Sequence, residues 1–208
     1  IVSAVFIDLV GFTPLTESMD SEDVRRMLTV YFDRAREIVD HFGGVIDKYI
    51  GDAVMAVWGA HTAHEDDAER AVRAALEMVD AVHAVGEDLD LPTLRARAGV
   101  LSGEAVVGGD GNAVTGLIIG DTVNTASRLQ SAAAPGQVLV GRSTRDLSAR
   151  AIEFEPVGAL DLKGKDGPVE AFRAVRILSG VAGNRRSEGL VPPFVGRADE
   201  LRVLKDNL

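Results

Sequence analysis

Two aspartates stand where apolar segments of this sequence are interrupted, and aspartate is a residue type that holds Mg²⁺. Asp8 follows the apolar run in "SAVFIDL", and Asp52 lies between the two apolar runs of "KYIGDAVMAVWG". Magnesium prefers oxygen ligands and is usually held by one or two carboxylates together with substrate phosphates. Either aspartate alone is more simply explained as a turn residue, because Asp is common in turns. A metal site therefore requires that the fold bring the two carboxylates together.

Other polar residues with regular spacing accompany the aspartates. Lys48 precedes Asp52 by four residues. The segment "DTVNTASRLQSAA" is typical of a short helix, and we expect Asp121 to be its N-cap. Asn124 and Arg128 are four residues apart, so they share one face of that helix. These residues offer an ammonium, an amide and a guanidinium, all of which can donate hydrogen bonds.

Composition and charge narrow the possible functions. The chain has 208 residues, a formal net charge of -10 and no cysteine, which excludes disulfides and thiolate metal sites. An acidic surface disfavours binding to nucleic acid or to anionic membranes, since both are polyanions. No apolar run reaches the ~18 residues of a membrane span, and the N-terminus lacks the features of a signal peptide. We therefore expect a cytoplasmic protein that uses local cations to bind any anionic substrate.

The periodicity of apolar residues predicts the elements that must position these side chains. "SAVFIDL" is typical of a buried strand, and a long amphipathic helix is expected from Ser21 to the "FGG" that stops it. "VIDKYI" and "AVMAVWG" predict a hairpin across the "GD" connection. A second helix is expected from about His64 to about Val85, followed by a strand pair in "LRARAGVLSGEAVVG".

This order predicts an α+β fold with a ferredoxin-like βαββαβ core. Segments such as "GQVLV", "STRDLSA", "IEFEPVG" and "VEAFRAV" predict extra C-terminal strands and helices. The first and third strands of such a core are antiparallel neighbours. The end of the first strand then lies beside the start of the third, which predicts that Asp8 lies beside Asp52.

The character of the sequence changes near its C-terminus and predicts a domain boundary. We expect one domain over residues 1–176 and a polar linker containing Gly and Pro over residues 177–193. Helical periodicity resumes over residues 194–208. That last segment resembles the start of the ATPase-like regulatory domains that follow catalytic modules in some bacterial regulators.

Three segments resemble the class III nucleotidyl cyclases, the family of adenylyl and guanylyl cyclases. They are "VFIDLVGFTPLTE", "GGVIDKYIGDAVMAVWG" and "IGDTVNTASRL", and the resemblance covers about residues 1–176. The resemblance implies that Asp8 and Asp52 hold two divalent cations, Mg²⁺ or Mn²⁺, with the Leu9 carbonyl as a further ligand. It also implies that backbone amides at Phe12 and Thr13 bind the β- and γ-phosphates.

The same resemblance assigns the remaining site residues. Asn124 would orient the ribose, and Arg128 would stabilise charge on the α-phosphate. Lys163 or Lys165 in "LKGKDG" resembles the phosphate-binding lysine of the family, although a solvated turn lysine explains either residue equally well.

The resemblance also bears on the nucleotide base and on assembly. Lys48 matches the position that reads adenine in adenylyl cyclases, and the companion position falls on Leu117, which cannot accept a hydrogen bond. The implied protein is an adenylyl cyclase that acts on ATP as a homodimer with shared active sites. The alternatives are a catalytically weak module that binds nucleotide for regulation and a module that serves dimerisation alone.

Overall fold

A computed structural model describes residues 1–17, 19–108, 118–165 and 167–178. The helices of these residues are α1 (Phe12–Glu17), α2 (Ser21–His41), α3 (Asp67–Asp88), α4 (Asp121–Ala132) and α5 (Arg142–Ser148). The strands are β1 (Val2–Leu9), β2 (Val45–Ile50), β3 (Ala53–Trp58), β4 (Ala96–Gly103), β5 (Val106–Val107), β6 (Ile118–Ile119), β7 (Val138–Gly141), β8 (Ile152–Leu160) and β9 (Val169–Ile177).

Seven of these strands form one sheet in the order β2-β3-β1-β4-β7-β9-β8. The first four strands have the order expected of a ferredoxin-like core, and β1 is antiparallel to both β3 and β4. Strand β7 then adds parallel to β4, and β8 and β9 extend the sheet beyond it. The predicted α+β class, the βαββαβ core and its C-terminal extension are confirmed.

Helices cover both faces of this sheet. Helices α2 and α3 pack on one face, because each presents buried side chains at helical spacing, such as Met27, Tyr31 and Ile38 in α2. Helix α4 packs on the other face against β1 and β4. The contact with β4 is very close: a Cβ atom placed on Gly99 would lie 2.2 Å from the Gln130 amide nitrogen. Glycine at position 99 therefore fixes how near α4 lies to the sheet.

Some predicted boundaries are wrong. Helix α3 begins at Asp67 rather than near His64. The Arg70 amide donates to the Asp66 carbonyl, which is the first hydrogen bond of the helix. The His64 amide donates instead to the side chain of Asp67, at 2.7 Å from Oδ2, so His64 lies in the turn that precedes the helix. The segment predicted as a strand pair forms β4 alone in the large sheet, since β5 pairs with β6 in a separate two-stranded sheet.

The predicted N-cap of α4 is also wrong. Gly120 is the N-cap, because its carbonyl accepts the Asn124 amide at 3.3 Å. Asp121 is the first residue of the helix, and its side chain pairs with Lys165 instead of capping the helix.

Within the described residues, no helix combines the length and the apolar character that crossing a bilayer needs. Residues 179–208 lie outside the described residues. The predicted linker and the predicted ATPase-like segment therefore stay predictions.

Candidate active site

The carboxylates of Asp8 and Asp52 meet at one end of the sheet. The register pairs Ile7 with Val54, so the end of β1 lies beside the turn that leads into β3. Gly51 in that turn has φ +63°, a conformation that glycine adopts without strain and that makes the connection tight. The Leu9 amide donates a hydrogen bond to Asp52 Oδ2 at 3.2 Å. The predicted convergence of the two aspartates is confirmed.

The two carboxylates are close enough to affect each other's ionisation. The pKa of Asp52 is raised to about 6, first because Asp52 is half-buried, and further by a hydrogen bond to Asp8 and by its negative charge. Hydrogen bonds from the backbone amides of Asp52 itself and of Leu9 partly oppose this rise in pKa. The site therefore carries negative charge at a position where the protein holds it with difficulty, and a bound cation would relieve this repulsion.

This donor set fits a divalent metal that the substrate helps to hold. Among the described residues there is no cluster of three or more His, Cys, Asp or Glu side chains arranged to hold a metal. Two carboxylates are nevertheless the usual protein contribution to a Mg²⁺ site whose other ligands are water and phosphate oxygens. The pair fits that arrangement and does not resemble a closed structural metal site.

Two donors that the sequence analysis did not single out hold Asp8. Arg97 Nη2 lies 3.2 Å and Gln130 Nε2 lies 3.1 Å from the same oxygen, Asp8 Oδ2. Arg97 stands directly opposite Asp8 in the pairing of β1 with β4, and it also donates to the Ser131 carbonyl at 3.0 Å. Arg97 could be identified as a partner of Asp8 only from the alignment of β1 with β4, which pairs the two residues. Together the two donors fix one oxygen of Asp8 and its orientation.

Tyr31 of α2 is buried within the electrostatic reach of the carboxylate pair. Its side chain is fully buried, and its hydroxyl has no hydrogen-bond partner in the part of the chain that the structure describes. Its pKa is raised well above the ordinary value, first by burial and then by the charges of Asp52 and Asp8. The tyrosine therefore stays neutral beside the two carboxylates.

The residues expected to bind the β- and γ-phosphates follow β1 directly. Gly11 has φ +70° and turns the chain from β1 into α1, which begins at Phe12. The Leu15 amide bonds to the Gly11 carbonyl at 3.1 Å, as in a first helical turn. The amides of Phe12 and Thr13 precede that bond and have no acceptor within the helix. They are placed at the same end of the sheet as Asp8.

Asn124 and Arg128 lie on the side of α4 that faces away from the carboxylates. Asn124 is exposed, Arg128 is half-buried, and Gln130 is buried against Asp8. Arg128 and Gln130 are separated by about 200° around a helix. Among the described residues, neither Asn124 nor Arg128 forms a hydrogen bond or ion pair with Asp8 or Asp52. One chain therefore does not bring the two sets of predicted site residues together.

The predicted lysines surround Arg128 instead. Arg128 Nη1 donates to the Gly164 carbonyl at 3.2 Å, and Lys165 forms an ion pair with Asp121. Exposed Lys163 lines a groove of about 560 Å³ together with Arg128 and Gly164. Asp161 lines the same groove, so the three cationic side chains between α4 and the connection from β8 to β9 outnumber the carboxylates of Asp121 and Asp161 by one. Such a region suits the phosphates of an anionic substrate.

Lys48 lies on the edge strand β2, opposite Met55 of β3. Its ammonium is 3.2 Å from Asp47 Oδ2 and its side chain is 38% exposed, so a ligand can reach it. The predicted companion residue, Leu117, lies outside the described residues.

Comparisons with known proteins agree on one family. Residues 1–174 match the family described as adenylate and guanylate cyclase catalytic domain. Adenylate cyclase 1 of Rhizobium meliloti (strain 1021) is 34% identical over 193 residues, which is 86% of this chain and 28% of that protein. This chain thus spans less than a third of the length of that relative.

Solved structures support the same assignment. The crystal structure of the adenylyl cyclase CyaB from P. aeruginosa has a TM-score of 0.78 at 30% identity and covers 84% of this chain and 93% of that chain. The guanylyl cyclase Cya2 has a TM-score of 0.79 at 29% identity and covers 88% of this chain and 94% of that chain. Similar proteins therefore include both enzymes named adenylyl cyclases and enzymes named guanylyl cyclases.

Proposed function

Because this chain belongs to the adenylate and guanylate cyclase catalytic domain family, we propose that it is an adenylyl cyclase that converts ATP to 3′,5′-cyclic AMP and pyrophosphate. The proposal extends to two divalent cations, Mg²⁺ or Mn²⁺, and to active sites shared between two copies of the chain. The observation that carries it is the meeting of Asp8 and Asp52, where burial and mutual repulsion raise the pKa of Asp52 to about 6. A cation site explains why two carboxylates are kept so close.

The reaction is an intramolecular phosphoryl transfer, and so the enzyme is a phosphorus–oxygen lyase. A bond forms between the ribose O3′ and the α-phosphorus, and the bond from that phosphorus to pyrophosphate breaks. Two divalent cations supply acidification of the 3′-OH and neutralisation of the triphosphate when they are bound. Asp8, the Leu9 carbonyl and Asp52 are the residues that would hold them. Arg97 and Gln130 keep Asp8 in the orientation that this binding needs.

The remaining polar groups bind and orient the nucleotide. The Phe12 and Thr13 amides at the start of α1 donate to the β- and γ-phosphates. Asn124 orients the ribose, and Arg128 stabilises the charge that grows on the α-phosphate oxygens. Lys163, which is exposed beside Arg128, and Lys165, which pairs with Asp121, are the candidates for a phosphate contact.

Lys48 is proposed to donate to N1 of adenine, which favours ATP over GTP. Leu117 at the companion position supplies no hydrogen bond to the base. A missing hydrogen bond that leaves no buried charge unpaired costs roughly 0.5–1.5 kcal/mol, so we expect kcat/KM to favour ATP by only about tenfold. Incubation with ATP or GTP and Mn²⁺, followed by identification of the product and comparison of kcat/KM, tests the function. A preference for GTP would overturn the role of Lys48, and no cyclic product from either nucleotide would overturn the function.

The side of α4 that carries Asn124 and Arg128 supports a shared site. Since these residues face away from the carboxylates of their own chain, we propose that they complete the site of a second copy, while Asp8 and Asp52 hold the cations of their own. A single chain type then forms a symmetric homodimer with two equivalent sites.

Mixing two inactive variants tests the shared site. Asp52→Ala and Arg128→Ala should each be inactive alone, because each change spoils both sites of its homodimer. After subunit exchange half of the dimers are heterodimers, and each has one site with both changes and one with neither. Activity should return to roughly a quarter of wild type, for random pairing and independent sites.

A second mixture, of two variants changed in the same half of the site, shows whether recovery depends on which half is changed. Asp8→Ala mixed with Asp52→Ala should recover no activity, because both changes lie in the same half of the site and every site of the heterodimer contains one. If Asp52→Ala and Arg128→Ala also fail to recover activity while subunit exchange is verified by a tag on one variant, the whole site lies within one chain.

We do not favour a catalytically weak binding module or a dimerisation module. The chain keeps the two carboxylates together with Asn124 and Arg128, a set that a module without turnover does not need.

A further inference from the structure

Strand β2 contains one extra residue at the position before Lys48. Ile46 pairs with Ala56 and Lys48 pairs with Met55, so one step along β3 corresponds to two steps along β2. Asp47 is therefore the extra residue of a β-bulge. A bulge redirects a side chain locally, and bulges are common next to active sites.

The bulge permits a contact that a regular strand does not allow. Successive side chains of a regular strand point to opposite faces, so neighbours in sequence do not meet. Here Asp47 Oδ2 lies 3.2 Å from the ammonium of Lys48, the residue that follows it. Tyr49 resumes the alternation and packs on Phe32 of α2, with ring centroids 4.6 Å apart. The irregularity is thus confined to the two residues that form the ion pair.

Asp47 is buried in a way that needs an explanation. Its side chain exposes none of its surface, and neither carboxylate oxygen accepts a well-aligned hydrogen bond from any residue that the structure describes. A buried carboxylate is costly unless it is paired, and aspartate is also disfavoured in strands. The ammonium of Lys48 is the cation next to it. If the bulge were a mere defect of the strand, an apolar residue would fill this position at lower cost.

We propose that Asp47 is a positioning residue that holds the ammonium of Lys48 where it reads the nucleotide base. The carboxylate is covered and the lysine is partly exposed, so Asp47 acts through Lys48 and does not touch the base itself. The restraint selects the few rotamers of a flexible lysine that keep its ammonium at the edge of β2, which lowers the entropy lost when the base binds. This inference rests on the proposed function, because it requires that Lys48 selects between ATP and GTP.

A double-mutant cycle separates this role from a structural one. The variants are Asp47→Asn, Lys48→Met and the double variant, each assayed for kcat/KM with ATP and with GTP in Mn²⁺. Lys48→Met should reduce the ratio of kcat/KM for ATP to kcat/KM for GTP, called the ATP-to-GTP ratio below, by up to about tenfold, the effect of one hydrogen bond. Asp47→Asn should reduce it by about threefold to tenfold, mainly through KM for ATP. The double variant should match Lys48→Met, because Asp47 has no effect without the lysine.

The exposed neighbouring pair of Arg145 and Asp146 in α5 supplies the matched control. Asp146→Asn removes a carboxylate from an ion pair of the same sequence spacing and should leave the ratio unchanged.

Each outcome is decisive for Asp47. If Lys48→Met changes the ratio and Asp47→Asn does not, the positioning role is wrong while the proposed function stands. If Asp47→Asn lowers the ratio further in the Lys48→Met background, Asp47 contacts the base directly and the role as stated is wrong. If Lys48→Met leaves the ratio unchanged, the proposed base-reading role fails and the role of Asp47 fails with it.

Thermal unfolding gives a second measurement that needs no catalysis. Lys48→Met leaves the buried carboxylate without its cation and should lower Tm, and adding Asp47→Asn should restore it. Asp47→Ser, a smaller side chain that cannot crowd the strand, is the second variant if Asp47→Asn fails to fold. If neither change at Asp47 restores the Tm of Lys48→Met, the two side chains are not paired and the proposal is overturned.

Discussion

Replacing Asp52 by asparagine should stabilise the metal-free protein while abolishing turnover. Asparagine has the size of aspartate, and its amide oxygen can still accept the hydrogen bond from the Leu9 amide. It lacks the negative charge that faces Asp8. The change therefore removes the repulsion within the carboxylate pair and also removes a ligand of the proposed cations.

The raised pKa sets the size and the sign of the effect. A shift from 3.8 to about 6 corresponds to about 3 kcal/mol at neutral pH if it is taken at full value. Asp52 is only half-buried, and solvent screening reduces this to about 1 kcal/mol. Because the folded protein binds the proton more tightly than the unfolded chain does, the penalty is absent below pH ~4, grows between pH ~4 and ~6, and is complete above pH ~6.

Asp52→Asn should therefore raise the free energy of unfolding by about 1 kcal/mol at pH 8, or Tm by about 2–4 °C for a domain of this size. The gain should be smaller at pH 4.5. Asp52→Ala also loses the hydrogen bond from Leu9, worth about 1 kcal/mol, so its stability should stay near that of wild type.

Thermal unfolding in the presence of a chelator, at both pH values, measures these effects. Asp80 on the exposed face of α3 provides the control, and Asp80→Asn should change the free energy of unfolding by less than about 0.5 kcal/mol. Cyclase assays on the same preparations should show loss of turnover for both variants at position 52. A destabilised Asp52→Asn, or a gain equal at both pH values, would refute the repulsion between the carboxylates, and full turnover would refute the metal assignment.

Two further changes test how the site is positioned. Gly99→Ala should lower the free energy of unfolding by about 3 kcal/mol or more and reduce soluble yield, because the new Cβ would lie 2.2 Å from the backbone nitrogen of Gln130. Gly167→Ala is the control and should be neutral, because nothing lies within reach of its Cβ. Equal stability of the two variants in urea would contradict the close packing of α4. Arg97→Met should lower the free energy of unfolding by about 1–2 kcal/mol, because Asp8 loses a charged hydrogen-bond donor. The loss should be smaller when Asp8 is already replaced by asparagine. An equal loss in the Asp8→Asn background would show that Arg97 stabilises the fold by other contacts.

The core of the fold follows from local patterns in the sequence. The strands alternate or run apolar and the helices repeat every three to four residues, so the order of elements is clear from the residues alone. That order allows few topologies, and the neighbouring positions of β1 and β3 follow from it. The meeting of Asp8 and Asp52 could therefore be predicted without coordinates.

Features that depend on register could not be predicted in the same way. The contact of Arg97 with Asp8 requires the alignment of β1 with β4, two strands far apart in sequence. The bulge at Asp47 changes the register by one residue and has no signal in the sequence pattern, since aspartate there resembles a turn residue. The prediction that Asp121 caps α4 is wrong for a related reason. The side chain of Asp121 pairs with Lys165, which lies in a distant segment of the sequence.

The two polar regions of the site carry opposite charge, and this bears on assembly. One region contains the carboxylates of Asp8 and Asp52 with Arg97 beside them, and its net charge is negative. The other contains Arg128 and two lysines, which outnumber the neighbouring carboxylates of Asp121 and Asp161. Helix α4 separates them within one chain, since Gln130 faces the carboxylates and Arg128 faces away. The proposed substrate, a triphosphate with its cations, would need both regions at once: the carboxylates would attract the cations, and the basic groups would attract the phosphates. In the proposed homodimer the acidic region of one chain faces the basic region of the other, so their attraction would orient the subunits, and the nucleotide with its cations would bridge the two charges.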